Sequence, residues 1–164
     1  MTLTTHIAIA AAITKPFIKQ HPILAFFVAI ASHYLSDAIP HWDYRLGSLA
    51  GGENPDKREW QFKTHTFWED FSRFAFDGFL GAGIAFLIIR PASLHEFFLW
   101  SLVVIGSCLP DFLQGVYYTR KAEFLKPLSH FHNRIHSKIK LGPYPLIGVP
   151  FQLIILFISL YFLT

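Results

Sequence analysis

The sequence is poor in charge and in cysteine, and each shortage excludes a class of protein. Charged residues make up 15% of the 164 residues, while hydrophobic residues make up 52%. A soluble domain of this length normally carries fewer apolar residues, so the surplus is expected to face lipid. The single cysteine, Cys108, lies in an apolar run. It cannot form an intramolecular disulfide, so nothing points to an oxidising compartment.

Sequence motifs of several enzyme classes are also missing. There is no glycine-rich phosphate loop, no nucleophile elbow and no Cys-x-x-Cys pair, so covalent catalysis through serine or cysteine has no support. The net charge of +3 is modest and comes mostly from short basic loops. That distribution suits contact with membrane lipid better than with a nucleic-acid surface, and no specific nucleic-acid binding is indicated.

Long apolar runs are the strongest positive signal. A run of about twenty mostly apolar residues predicts a membrane-spanning helix. The runs extend from Pro22 to Ile39, from about Phe71 to Ile89, from about Leu94 to Val116 and from about Tyr144 to Leu163. The segment from Thr2 to Thr14 is short for a crossing and is expected to pack against the others. We therefore predict a single all-α domain over residues 1–164, an integral membrane bundle of about five helices.

The polar segments between these runs indicate how the bundle is oriented. Charged residues and histidines alternate with Phe and Leu between Lys121 and Lys138, which predicts an additional amphipathic helix. Following the spans in order puts the loops Trp42 to Asp70 and Tyr117 to Pro143 on the same side. These loops carry ten basic residues against three on the opposite side. The positive-inside rule therefore predicts that these loops face the cytoplasm and that the protein is a multi-pass protein of the cell (inner) membrane.

The segment around His33 is the most informative for chemistry. His33 and Asp37 are four residues apart on a predicted helix, so both side chains share the face that a metal-binding pair requires. His41 would continue this stripe if the helix made one more turn, and Asp43 lies just beyond. A charged group inside a membrane costs about 2.5 to 3.5 kcal/mol, so a partner or cation is expected. Alternatively, His33 and Asp37 only bond each other and cap the helix.

A second histidine pair occurs at the same helical spacing. His132 and His136 could form one half of a zinc site, or the segment could be a basic interfacial helix whose His, Arg134 and Lys residues bind lipid phosphates. His130, two residues before His132, would face elsewhere on a helix. Whether His130 or the loop residue His65 joins a site is open.

Two carboxylates in the predicted spans are expected at a similar depth. Asp77 lies about two turns inside its helix, and Asp111 follows Pro110 near the end of the next span. The topology therefore brings both toward Asp37 and the His132/His136 pair. Asp77 could instead pair with Arg73 one turn away, and Asp111 could simply be a helix-end residue.

Four short motifs resemble those of predicted membrane-bound metal-dependent hydrolases, a family distantly similar to zinc-dependent phospholipase C and P1 nuclease. They are an early Thr-His at His6, the Asp-x-x-Pro-His-x-Asp segment from Asp37 to Asp43, the Leu-Pro-Asp ending at Asp111, and His136-Ser137. The resemblance adds His6 to the ligand candidates. It implies a helical His/Asp metal site that acts on a phosphoester or related bond. The family often has His-Arg at a five-residue spacing, whereas here His132 precedes Asn133 and Arg134, which leaves the ligand pairing open.

Together these observations predict a membrane-embedded, metal-dependent hydrolase that cleaves a lipid-like phosphoester near the cytoplasmic membrane face. The expected substrate is a phospholipid or another phosphoester. Mixed imidazole and carboxylate ligands suit Zn²⁺, with Mn or Fe also possible, bound singly or as a pair of ions. The expected metal ligands are His6, His33, Asp37, Asp77, Asp111, His132 and His136. His41 or Asp43 is expected to orient a ligand or act as general base, and Arg134 to hold the phosphate.

Two other functions use the same residues. A transporter could relay protons or divalent cations through the buried His and Asp groups, although no inverted repeat is visible in five short helices. Alternatively, a small structural membrane protein could use a metal only to hold the bundle together.

Overall fold

The computed structural model describes residues 1–52 and 54–164 and confirms the all-α prediction. The helices are α1 (Leu3–Thr14), α2 (Pro22–Asp37), α3 (His65–Ile89), α4 (Leu94–Arg120), α5 (Lys126–Ile135) and α6 (Pro145–Leu163), and the strands are β1 (Leu49–Ala50) and β2 (Glu59–Trp60). A short 3-10 helix, Glu123–Leu125, precedes α5, and β1 and β2 form a small antiparallel hairpin.

Local signals explain where the helices begin. Pro22 occupies the first turn of α2, where its missing N–H costs no hydrogen bond. The Thr64 hydroxyl accepts a hydrogen bond from the Phe67 N–H, so α3 begins at His65, earlier than the predicted Phe71. The Ser93 hydroxyl likewise accepts from the N–H of Glu96 and caps α4. This last helix continues past the predicted Val116 to Arg120.

Helix α1 is the centre of the bundle. It packs against α2, α3, α4 and α6, and Ile7 and Ala10 on it are fully buried. Its 12 residues reach only about 18 Å at 1.5 Å per residue, which is too short to cross a bilayer. The expectation that this segment packs against the other helices is therefore confirmed.

Glycines allow two of these helix pairs to approach closely. A Cβ at Gly81 of α3 would lie 2.6 Å from the Thr4 Cα of α1. A Cβ at Gly106 of α4 would lie 2.9 Å from the Phe26 carbonyl oxygen of α2. Small residues at such contacts are typical of helices that pack in lipid.

Three helices, α3, α4 and α6, are long and apolar enough to cross a membrane. Helices α1 and α2 are apolar but shorter. Many large apolar side chains point outward, including Phe79 of α3, Leu87 of α3 and Tyr161 of α6, each more than 70% exposed. Such a surface is suited to lipid contact.

The two polar loops meet at one end of the bundle, which we call the loop end (residues 38–52, 54–64 and 121–144). Tyr117 and His130 both contact the carboxylate of Asp56, which belongs to the first loop. The Arg58 guanidinium donates to the Asn133 side-chain oxygen at 2.9 Å. The two loops therefore lie at the same end of the bundle, and the side of the membrane that they face stays a prediction.

Candidate metal centre

The carboxylate of Asp37 is the meeting point of four imidazoles. Its Oδ1 lies 3.2 Å from Nε2 of His6 and 3.7 Å from Nε2 of His41. Its Oδ2 lies 3.2 Å from Nε2 of His33 and 2.9 Å from Nε2 of His132. Asp37 is 1% exposed, so these rings surround a carboxylate that is withdrawn from solvent.

His33 is held by the carbonyl of Ser107 on α4, 2.7 Å from its Nδ1. A carbonyl can only accept, so Nδ1 carries a hydrogen and the lone pair of the neutral ring is on Nε2. That Nε2 faces oxygens of Asp37 at 3.2 Å and Asp111 at 3.5 Å. It forms no hydrogen bond with the residues that the structure describes. Backbone support of one ring nitrogen is the usual way to aim the other at a metal.

His41 is oriented in the same way although it lies beyond α2. The helix ends at Asp37, and the Ile39 carbonyl accepts from Nδ1 of His41 at 2.7 Å. Its Nε2 therefore faces Asp43 at 3.0 Å and Asp37 at 3.7 Å. A pairing with Lys140 holds this extended segment in place. His41 thus reaches the site without the extra helical turn that the sequence suggested.

His6 approaches Asp37 from the central helix. The Ser36 hydroxyl lies 2.9 Å from the His33 carbonyl oxygen, to which it can only donate, and 2.9 Å from Nδ1 of His6. A hydroxyl that donates its hydrogen to the carbonyl accepts from Nδ1, which again leaves the lone pair on Nε2. The His6 and His33 rings stack with centroids 3.8 Å apart.

Two sets of mutually close ligand atoms result, and both contain Asp37. His33, Asp37, Asp111 and His132 form the first set, and Asp37, His41 and His136 form the second. Asp111 is not a helix-end residue, because α4 continues to Arg120. His6 touches Asp37 but belongs to neither set among the residues that the structure describes.

The two histidines of α5 separate into different sets, which the sequence did not indicate. The helix ends at Ile135, and His136 has an extended backbone with ψ of 131°. The turn directs His136 toward His41, with ring centroids 4.8 Å apart, whereas His132 faces Asp37. The expected single half-site is therefore replaced by one ligand candidate in each set.

The Nε2 lone pairs of the neutral His6 and His33 rings face carboxylate oxygens of Asp37, so positive charge between them would be favourable. Protonating the rings would place imidazolium charges together, because the His33 centroid lies 3.8 Å from that of His6 and 5.3 Å from that of His132. Like charges this close repel strongly away from water. A divalent cation would supply this charge to several ligands at once. The donor set of imidazole nitrogens and carboxylates therefore fits a transition metal such as zinc.

Asp43 lies at the outer edge of the cluster. Its Oδ1 is 2.9 Å from the Met1 amino group, which also contacts Asp37 at 3.0 Å. Burial opposes ionisation of Asp43, but the contact with the His41 ring and the charge of the amino group outweigh it and lower the pKa of this carboxyl. Burial also lowers the pKa of His136, which favours its neutral ring.

Asp77, expected among the ligands, has a different position. It accepts hydrogen bonds from the backbone N–H groups of Leu3 and Thr4 and from the Thr4 hydroxyl. It therefore caps the first turn of α1, where a negative charge is favourable. Its proposed partner Arg73 instead lies 3.7 Å from Asp70. Within residues 1–52 and 54–164, Asp77 belongs to neither ligand set.

A cavity of about 1370 Å³ leads from the loop end to the cluster. The residues that line it include Asp37, Asp111, His136 and Arg134. His130 is also on the wall, 2.8 Å from Asp56. His65 lies outside the site, because its exposed ring pairs with Glu69 on the same helix.

Several cavity residues were not singled out by the sequence. Arg58, Tyr118 and Asn133 line the wall and form a hydrogen-bonded group, with Asn133 Nδ2 donating to the Tyr118 hydroxyl at 2.9 Å. None of them lies in a recognisable motif or inside an apolar span, so the sequence carries no signal for them.

Comparisons of the chain with protein-family models, with curated proteins and with solved structures give no match. The resemblance to membrane-bound metal-dependent hydrolases therefore stays a prediction. What the protein does must be inferred from the site itself.

Proposed function

We propose that the protein is a metal-dependent hydrolase that cleaves a phosphoester, of the lipid-like class, at a membrane surface. The observation that carries the proposal is the convergence of His33, His41 and His132 on Asp37, a residue that lines an open cavity. A site that only held the bundle together would not need access from outside. Access and ligand geometry together favour catalysis over a structural metal.

The two sets that share Asp37 are the proposed holders of a pair of divalent ions. His33, Asp111 and His132 would complete one position, and His41 and His136 the other. Zinc is the leading candidate, with manganese or iron as alternatives. Bound ions would polarise the phosphoryl oxygens and lower the pKa of an attacking water. His6, stacked on His33 and close to Asp37, would keep both in place.

The chain's own residues supply the remaining steps. Asp43 has a side chain that is 43% exposed and lines the cavity, so it can accept a proton from water as general base. The hydrogen bond with His41 orients it. Arg134, on the cavity wall, is suited to bind a phosphate through its planar guanidinium.

Phosphoester hydrolysis by the purified protein in detergent or liposomes tests the proposal. Lipid phosphates are the first substrates to try, because the site lies beside helices that can cross a membrane. Chelation should abolish the activity, and added Zn²⁺ or Mn²⁺ should restore it. Asp111→Asn should depress turnover far more than substrate binding, while His95→Ala, at the opposite end of α4, is the matched control. Metal-loaded protein that cleaves no phosphoester but moves cations would favour transport instead.

We also propose that the loop end faces the cytoplasm from the cell (inner) membrane. The excess of basic residues in the two loops, ten against three, supports this orientation. Reporter fusions near Asp56 and near Lys126 should both report cytoplasm, and a fusion after Thr164 the opposite side. Different sides for the two loops would contradict the orientation.

A further inference from the structure

Helix α5 has an apolar face that points away from the bundle. Phe124 just before it, Leu128 and Phe131 are 79%, 43% and 49% exposed. Their spacings of four and three residues put them on one side of the helical segment. A helix in a soluble protein would rarely expose three large apolar side chains along one face.

The inward face of the same segment reaches the candidate metal centre. Leu125, Ser129 and His132 have the same spacing of four and three, and each is at most 4% exposed. Phe131 and His132 are thus consecutive residues, one pointing outward and one toward Asp37. Whatever covers the outer face therefore fixes the position of a candidate ligand.

The outer face continues the apolar surface of the neighbouring helices. The Phe131 ring contacts that of Tyr34 on α2 at 5.0 Å between centroids, and the next residue of α2, Leu35, is 70% exposed. Phe112, on the α4 helix against which α5 packs, is 59% exposed. The face of α5 is therefore an extension of a surface already suited to lipid, at its loop end.

Basic residues flank this face. Lys126 is on the first turn of α5, and Arg134 and Lys138 are exposed at and beyond its last turn. Aromatic and aliphatic side chains bordered by Lys and Arg are the composition of helices that lie in the interface of anionic membranes.

We propose that α5 lies in the headgroup region of the membrane on the loop side, with Phe124, Leu128 and Phe131 inserted at the boundary of the acyl chains. The occupant of this face is a lipid bilayer that contains anionic lipid. The assignment rests on the apolar spans and not on hydrolysis, so it can fail or hold independently of the proposed function. It would place the cavity mouth at headgroup level.

Site-directed spin labelling of the full chain tests this assignment. Because Cys108 is the sole cysteine, a Cys108→Ala background allows single labels at Leu128→Cys and, as a second outer position, Phe124→Cys. His130→Cys, on the cavity wall, provides the water-facing reference. Phe157→Cys, 64% exposed in the middle of α6, provides the lipid reference. Each variant is placed in nanodiscs of phosphatidylethanolamine and phosphatidylglycerol.

Collision with oxygen and with a water-soluble nickel chelate then reports the depth of each label. The ratio of oxygen to nickel collisions should be several-fold higher for the labels at 128 and 124 than for the label at 130. It should be close to the ratio for the label at 157. Equal nickel access at 128 and 130 would overturn the proposal. Shielding of 128 from both reagents would also overturn it, since protein rather than lipid would then cover the face. In phosphatidylcholine discs the labels should be shallower, and an unchanged depth would contradict the anionic preference.

Discussion

The buried polar groups near the two ends of helix α1 differ in whether they have hydrogen-bond partners. At the far end, the Thr14 hydroxyl donates to the Ala10 carbonyl at 2.8 Å and the Lys15 ammonium donates to the Leu163 carbonyl at 2.6 Å. At the loop end, buried nitrogens of His6 and His33 have no hydrogen-bond partner in the described part of the chain. One end therefore satisfies its polar groups internally, and the other does not.

The two ends of the helix therefore differ in how well their packing alone accounts for their buried polar atoms. Leaving a buried polar atom unsatisfied costs about 1 to 3 kcal/mol, and charged groups cost more. The far end avoids such costs with a core of small and aliphatic residues, including Ala11, Ala25 and Val103. The loop end accepts them at a cluster that a metal ion would satisfy.

The largest effect is expected from Asp37→Asn, because this carboxylate belongs to both ligand sets. Removing its charge should lower phosphoester turnover by more than about 100-fold, beyond the loss typical of groups that only support a ligand. The measurement is the initial rate at saturating metal and substrate. Turnover within a few-fold of the unaltered protein would show that Asp37 is structural.

Asp43→Asn should have a smaller effect, since Asp43 orients His41 and belongs to neither set within the described residues. Activity is expected to fall by about 10 to 100-fold. The low pKa of Asp43 keeps its carboxylate ionised at neutral pH, and the asparagine cannot accept a proton there. The measurement is the hydrolysis rate across a range of pH. Relative to the unaltered protein, the rate should fall more in Asp43→Asn than in Arg73→Gln, an exposed control outside the cavity.

Gly81→Ala tests the packing of the central helix and should affect stability rather than chemistry. Its new Cβ would lie 2.6 Å from the Thr4 Cα, so α1 and α3 must separate, at a cost of about 1 to 3 kcal/mol. Gly83→Ala is the matched control, because a Cβ there meets nothing within 4 Å in the described structure. Helix propensity alone should make that variant up to about 1 kcal/mol more stable. Thermal unfolding of both in one detergent should shift in opposite directions.

Asp77→Asn is expected to have the smallest effect and sharpens the comparison between two carboxylates at the loop end. It removes the negative charge that caps α1, which costs about 0.3 to 1 kcal/mol. Metal content should be unchanged, in contrast to Asp37→Asn. Loss of metal from Asp77→Asn, measured by mass spectrometry, would return Asp77 to the ligand set.

The helices were largely predictable because their signals are local. Apart from the start of α3, the apolar runs placed the spans within a few residues of the observed helices. The start of α3 was placed too late, since the cap at Thr64 and the following polar residues carry a helix outside the apolar run. The hairpin from β1 to β2 was not predicted, because two-residue strands leave no hydrophobic period to detect.

The candidate site was predictable only where the position of a residue along its helix also settles what it contacts. His33 and Asp37 share a helix face, and Asp111 reaches them because Pro110 does not end α4. Asp77 lies at the expected depth but points toward α1, and depth carries no information on direction. The separation of His132 from His136 depends on the end of α5 after Ile135, for which the sequence offers neither glycine nor proline.

Metal analysis of the purified protein tests the central claim most directly. We expect divalent transition metal to co-purify, all of it to be lost in Asp37→Asn, and part of it in His132→Ala and in His136→Ala, which alter one set each. His65→Ala, whose ring is exposed and pairs with Glu69, should keep the full content. Protein that takes up no metal even with Zn²⁺ supplied, or an Asp37→Asn variant with full occupancy, would contradict the account.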